Sequence, residues 1–168
     1  MTAAPTSSPP TATADLSTGR IVATVEIAAP PARVFRALTT RELLDWWGSP
    51  DAYRTTRWEA DLRVGGLWRS DGVGADGTRF SVHGEFLALD APHRVAFTWL
   101  ADWDGGAPTT VTYELEAIAR GTRLTVRHEG FQGRTASCED HTAGWTRVLG
   151  WLREFVEPAA AAQGAASA

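Results

Sequence analysis

The sequence predicts an α+β domain in which one antiparallel sheet of about seven strands is covered by a long C-terminal helix, with two short helices between the first strand and the second. Three observations predict it. Residues 54–130 break into short alternating segments separated by turn residues, the texture of successive hairpins. Residues 137–156 carry apolar side chains at helical spacing, and residues 30–47 do so more briefly, directly after a first strand.

Arg20 to Ala28 opens the fold, with Ile21, Ala23, Val25 and Ile27 on one face and Val22, Thr24 and Glu26 on the other. Pro30 and Pro31 stop the strand and suit a first helical turn, where a missing N–H costs nothing. Val34, Phe35 and Leu38 then recur as one helical face. Thr40 to Trp47 reads as a second helix capped by Thr39 or Thr40, and Gly48 and Pro50 end it. Six strands follow, approximately Thr55 to Ala60, Leu67 to Ser70, Phe80 to Leu89, Arg94 to Leu100, Thr109 to Ala117 and Thr122 to Glu129. Breaks such as Gly65-Gly66, Gly72 to Gly77 and Ala91-Pro92 are too short for parallel crossovers, so neighbours are antiparallel. Ser137, with Asp140 three residues on, gives a capping signal for the last helix, whose apolar face is Trp145, Val148, Leu149, Leu152, Phe155 and Val156. That helix is the one element able to cover most of the sheet.

The tails are different. Residues 1–14 contain only Ala, Thr, Ser and Pro after Met1, with no large apolar group to repay ordering, and residues 1–19 are expected to be a disordered tail. Residues 158–168 are expected to be flexible, leaving 20–157 as a single domain.

Composition narrows the function. Against 20 Asp+Glu stand 16 Lys+Arg, a net charge of −4, which argues against nucleic acid as a partner. Every basic residue is arginine, so Schiff-base chemistry and lysine-dependent phosphate loops are excluded. The one cysteine, Cys138, cannot form an internal disulfide and fits a cytoplasmic protein. No apolar run reaches membrane-spanning length. The histidines at 83, 93, 128 and 141 lack zinc-site spacing, and Cys138 with His141 lacks a third catalytic partner. No cofactor or metal is implied.

Several pieces together resemble a known family. Ala29-Pro30 leads into Val34-Phe35 and Ala37-Leu38-Thr39, followed by Leu44 and Trp46-Trp47-Gly48. Asp61 precedes Gly65-Gly66 and Trp68, and Gly84 precedes Pro92, Arg94-Val95 and Phe97-Thr98-Trp99. Gly121-Thr122, His128-Glu129-Gly130-Phe131 and Gly144-Trp145 complete the order. Over nearly all of residues 20–157 this resembles the SRPBCC or START-like superfamily, also called birch-pollen-allergen-like, and within it the homologues of the heat-shock protein 90 ATPase activator. The resemblance implies the helix-grip fold, a curved sheet wrapped around the C-terminal helix, and a hydrophobic cavity between them that in many relatives holds a lipid-like or polycyclic ligand.

Alternation assigns the inward faces: Val95, Phe97 and Trp99; Val111, Tyr113 and Leu115; Leu124, Val126 and His128; and Phe80, Val82 and Phe86, with His83 and Glu85 outward. Trp46, Trp47, Trp68, Trp99 and Trp145 fall where the implied fold has its concave face or cavity mouth, and each is either a pocket wall or ordinary core. The candidate ligand-binding set is Trp46, Trp68, Phe86, Phe97, Trp99, Tyr113, His128, Trp145 and Leu149. His128 is a candidate to orient a ligand or move a proton, the alternative being a satisfied structural histidine. Tyr113 is a candidate to offer its hydroxyl, the alternative being packing.

Three functions are therefore expected, in this order: a binder of a hydrophobic small molecule, a polyketide cyclase or dehydratase-like enzyme in the same cavity, and a chaperone ATPase-activating module. Eukaryotic activators carry a separate N-terminal binding domain, which residues 1–19 are too short to supply. Monomer and homodimer are both compatible with the sequence.

Overall fold

The computed structural model describes residues 8–157. The expectations for residues 1–7 and for the tail at 158–168 lie outside them. Nine strands form one antiparallel sheet in the order β1-β2-β9-β8-β7-β6-β5-β4-β3. The strands are β1 (Thr11–Asp15), β2 (Arg20–Ile27), β3 (Gly48–Ser49), β4 (Tyr53–Ala60), β5 (Leu67–Gly74), β6 (Arg79–Asp90), β7 (Arg94–Ala101), β8 (Pro108–Ile118) and β9 (Gly121–Glu129). Three helices, α1 (Pro31–Thr39), α2 (Leu43–Trp46) and α3 (Thr135–Val156), accompany it, together with a single 3-10 turn at Asp102–Asp104. This is the α+β helix-grip arrangement, with nine strands where about seven are expected.

The two added strands have different origins. β1 corrects the reading of residues 1–19 as a disordered tail, because Thr11 to Asp15 pair with β2 from Thr11↔Thr24 to Asp15↔Arg20. Its stabilisation comes from backbone hydrogen bonding on an open sheet edge, which side-chain composition does not report. The connecting turn is held by the Asp15 carboxylate, which accepts from the Ser17 amide at 3.0 Å and the Ser17 hydroxyl at 2.6 Å. Arg153 of α3 also donates to the Ser8 carbonyl at 2.7 Å. β3 is a two-residue pairing, Gly48↔Arg54 and Ser49↔Tyr53.

Boundaries elsewhere shift by a few residues. The second helix is confined to Leu43–Trp46, one turn shorter at its start than expected. Trp46 packs against α1, and its Nε1–H donates to the Ala37 carbonyl at 2.9 Å. α3 begins at Thr135 with Arg134 preceding it, so Ser137 is not its cap. Instead the Ser137 hydroxyl donates to the Asp104 carboxylate at 2.7 Å and ties the 3-10 turn to α3.

The alternation is realised in burial. Ile21, Ala23, Val25 and Ile27 of β2, Val111, Tyr113 and Leu115 of β8, and Leu124, Val126 and His128 of β9 are all buried, while His83 and Glu85 are exposed. α3 packs most closely on β2 and β1 and touches α1 and α2. Its buried face comprises Cys138, Trp145, Val148, Leu149, Leu152 and Val156.

On the other side of the sheet the pairing of β6 with β7 is interrupted by a bulge. The ladder runs Val82↔Ala101, His83↔Leu100 and Phe86↔Phe97, then slips by one at a bulge before Ala88↔Ala96. Around Gly84 the Thr98 side chain substitutes for a backbone partner, its Oγ1 accepting from the Glu85 amide at 2.9 Å. The Thr98 carbonyl turns to accept the Trp68 indole N–H at 3.2 Å. Only glycine fits there: a Cβ on residue 84 would lie 1.8 Å from the Thr98 oxygen and 2.7 Å from Trp68 Nε1. Gly84→Ala is expected to lower the urea midpoint by the equivalent of about 1–3 kcal/mol with an unchanged m-value, the cost of overpacking a tight contact. An unchanged midpoint would mean that the strands part there without cost.

Candidate functional site: an aromatic cavity

Because α3 lies over the β1–β2 side, the sheet from β4 to β7 curls beyond its reach. An apolar cavity of about 410 Å³ remains between them. Its walls are rings in mutual edge or tilted contact: Trp68 meets Phe97 at 5.3 Å and Trp99 at 5.8 Å, Phe97 meets Tyr113 at 5.3 Å, and Tyr113 meets Trp145 at 6.1 Å. Trp47 closes the circuit, 6.4 Å from Trp99 and 6.0 Å from Trp145. Such tilted pairs suit the aromatic quadrupole, so the walls hold their shape without filling the centre.

Of the candidate residues, Trp68, Phe86, Phe97, Trp99, Tyr113 and Trp145 line the cavity. Trp46, Leu149 and His128 do not. Trp46 is 4% exposed and turned to α1, and Leu149 is fully buried where α3 packs tightly. Tyr53, Trp58 and Trp103, which are not in the candidate set, also line the cavity, as do Trp47 and Phe80 from the expected inward or concave side. Tyr53 and Trp58 lie on β4, whose polar texture hides an inward face, and Trp103 belongs to the 3-10 turn, where periodicity gives no signal. Trp103 is 52% exposed and marks the mouth, T-shaped to Phe80 and stacked at 6.0 Å on His141.

His128 has a different part. Fully buried, it accepts from Trp145 Nε1–H at its Nδ1, 3.1 Å away. Nδ1 therefore carries no proton, and Nε2–H donates to the Thr109 hydroxyl at 2.7 Å. Thr109 in turn donates to the Trp99 carbonyl at 3.1 Å. The chain fixes one tautomer and joins α3 to β9, β8 and β7. Burial first, then the nearby His141 and Arg134, hold the His128 pKa well below the usual histidine range. His128 is thus the satisfied structural histidine, not a group facing a ligand.

Other polar groups are few. The Tyr113 phenol lines the cavity and burial raises its pKa far above the usual value, so it remains a phenol. His141 donates from Nδ1 to the Ser137 carbonyl at 2.9 Å. Cys138 is buried on the far side of the helix turn, and burial raises its pKa, which disfavours a thiolate.

Fold and cavity together define a helix-grip, START-like domain. Residues 28–157 match the model of the family described as Activator of Hsp90 ATPase homolog 1-like protein, and the chain belongs to that family. Solved structures agree. A protein from Chromobacterium violaceum is 27% identical with a TM-score of 0.73, the match covering 83% of this chain and 98% of that one. A protein from Mycobacterium smegmatis is 25% identical with a TM-score of 0.72, covering 89% and 95%. An AHSA1-like protein from Aeromonas hydrophila is 24% identical with a TM-score of 0.69, covering 84% and 94%, a likeness of fold. No curated protein sequence matches this chain. No helix among the described residues is long and apolar enough to cross a membrane.

The histidine chain has a pH signature. In the unfolded chain His128 titrates near 6.5, while in the fold it stays unprotonated well below that. As pH falls below about 6.5 the unfolded state takes up a proton that the fold refuses, so stability declines by up to about 1.4 kcal/mol per pH unit until the folded pKa is reached. Urea titrations between pH 7.5 and 5 should show this decline, and His128→Gln should flatten it. A decline of equal slope in the variant would assign it to other groups.

Proposed function

We propose that this domain binds a hydrophobic small molecule, lipid-like or polycyclic, in the cavity between the sheet and α3. The observation that carries the reading is the cavity itself: about 410 Å³ bounded by aromatic rings that touch each other but leave the centre open. Ligand pockets span about 300–1,000 Å³ and combine apolar walls with few polar groups. Trp68, Phe86, Phe97, Trp99, Tyr113 and Trp145 are the proposed contacts, with Trp47, Tyr53, Trp58 and Phe80 beside them. The lone, buried Cys138 supports a cytoplasmic setting for the same role.

Binding is favoured over catalysis because two of the groups suited to proton transfer are disarmed, and His141, at the cavity wall with its Nε2 unpartnered, is left to act singly. His128 spends both ring nitrogens on Trp145 and Thr109, and the Tyr113 phenol is held protonated by burial. The family's description keeps a chaperone ATPase as a second candidate partner, which a pull-down with a purified chaperone and an ATPase assay would detect.

The neutral dye N-phenyl-1-naphthylamine, fluorescent in apolar surroundings, tests the reading. The protein should take it up with a one-to-one stoichiometry, and native mass spectrometry of gently purified protein should show a co-purified apolar compound. Gly144 of α3 lines the cavity, and a Cβ there meets nothing within 4 Å. Gly144→Leu should therefore fold, gain helix propensity worth up to about 1 kcal/mol, and lose dye uptake at least about ten-fold. Absence of dye uptake by the wild-type protein would sink the proposal.

A further inference from the structure

Resting on the reading that the cavity holds a small molecule, its mouth indicates which chemical class. Arg147 is the one arginine among the cavity-lining residues. Its guanidinium carbon sits 5.6 Å from the Tyr53 ring centroid and 5.3 Å from that of Trp151, held over both faces. Stacking of this kind fixes a guanidinium while leaving its in-plane N–H donors free.

Those donors have no carboxylate. Among the described residues no Asp or Glu lies within ion-pair distance of Arg147. The acidic residue that shares the lining, Asp140, is seven positions earlier on α3, about 10 Å along the helix axis. A second donor lies beside the first. Tyr53 accepts from Trp47 Nε1–H at 3.1 Å, and its hydroxyl proton remains for another acceptor. Burial raises the Tyr53 pKa and outweighs the opposing pull of the Trp47 hydrogen bond and of the adjacent Arg147, whose guanidinium reaches the same hydroxyl, so this proton is retained. The mouth therefore presents a fixed cation and a phenolic donor at the edge of an aromatic chamber.

We propose that the bound molecule is an apolar carboxylic acid, its apolar body among Trp68, Phe97 and Trp99 and its carboxylate at the mouth between the Arg147 guanidinium and the Tyr53 hydroxyl. The guanidinium fork matches a carboxylate in two parallel hydrogen bonds, and the neighbouring apolar walls strengthen the pairing by excluding water. An ester or alcohol of the same body fills the chamber without engaging Arg147.

Displacement of N-phenyl-1-naphthylamine by dodecanoate and by methyl dodecanoate, each below its aggregation limit, tests the assignment. Dodecanoate should displace the dye at least about ten-fold more effectively than the ester, and the preference should shrink as salt is raised. Arg147→Gln should abolish the preference while leaving displacement by the ester unchanged. Tyr53→Phe, which keeps the ring under Arg147, should lose part of the preference of acid over ester, each measured against that variant's own dye affinity. Equal displacement by acid and ester, or a preference that survives Arg147→Gln, would overturn the carboxylate assignment while dye uptake upheld the cavity. Failure of the wild-type protein to take up dye would overturn both.

Discussion

The hydrogen bond from the Trp145 indole to His128 decides where the helix sits on the sheet. His128 lies on the inward face of β9, and Trp145 lies near the middle of α3, so their 3.1 Å contact fixes the helix over one part of the sheet. Continuation through Thr109 to the Trp99 carbonyl holds β8 and β7 in the same frame. A buried donor or acceptor left alone costs about 1–3 kcal/mol, so the chain holds together as a unit. Much else follows from that position, because one helix cannot cover nine strands.

The uncovered part is shaped by close backbone contacts as much as by side chains. Gly84 lets the Thr98 carbonyl reach the Trp68 indole, and this sets one wall of the cavity. Trp68 then supports Phe97 and Trp99, which form the chamber's inner surface. Aromatic residues do this well because rings in tilted contact bury large areas without closing the space they surround. The void is thus a consequence of a rigid frame, and it is placed where an apolar guest would regain the contacts that the walls lack.

Charge is arranged with the same economy. The interior carries His128 as a satisfied, unprotonated ring, and the charged lining groups Asp140 and Arg147 stand at the exposed rim. Arg147, stacked on Tyr53 and Trp151, is desolvated on its faces and open at its edge. This separation lets an apolar chamber and a polar contact coexist, since the charge never leaves water completely.

Strand alternation, the proline and glycine breaks and the spacing of apolar residues determined the fold class, the element order and the inward faces, because these depend on local periodicity. Together with the resemblance, which implies where the concave face lies, they pointed to Trp68, Phe86, Phe97, Trp99, Tyr113 and Trp145, which line the cavity, and to Trp46, His128 and Leu149, which do not. Tertiary structure decided the rest. β1 exists because a sheet edge was available to residues of low apolarity, a fact absent from their composition. Periodicity put His128 inward, yet whether it met a guest or Trp145 depended on the helix's lateral position. Leu149, at helical spacing from Trp145, faces packed core while Gly144 faces the void, a difference set by how far the sheet curls past the helix. Arg147 and Trp103 join the site only because the folded chain sets Tyr53 and Phe80 beside them. Local chemistry decides which side of an element a residue takes, and only the packing of elements decides what stands opposite.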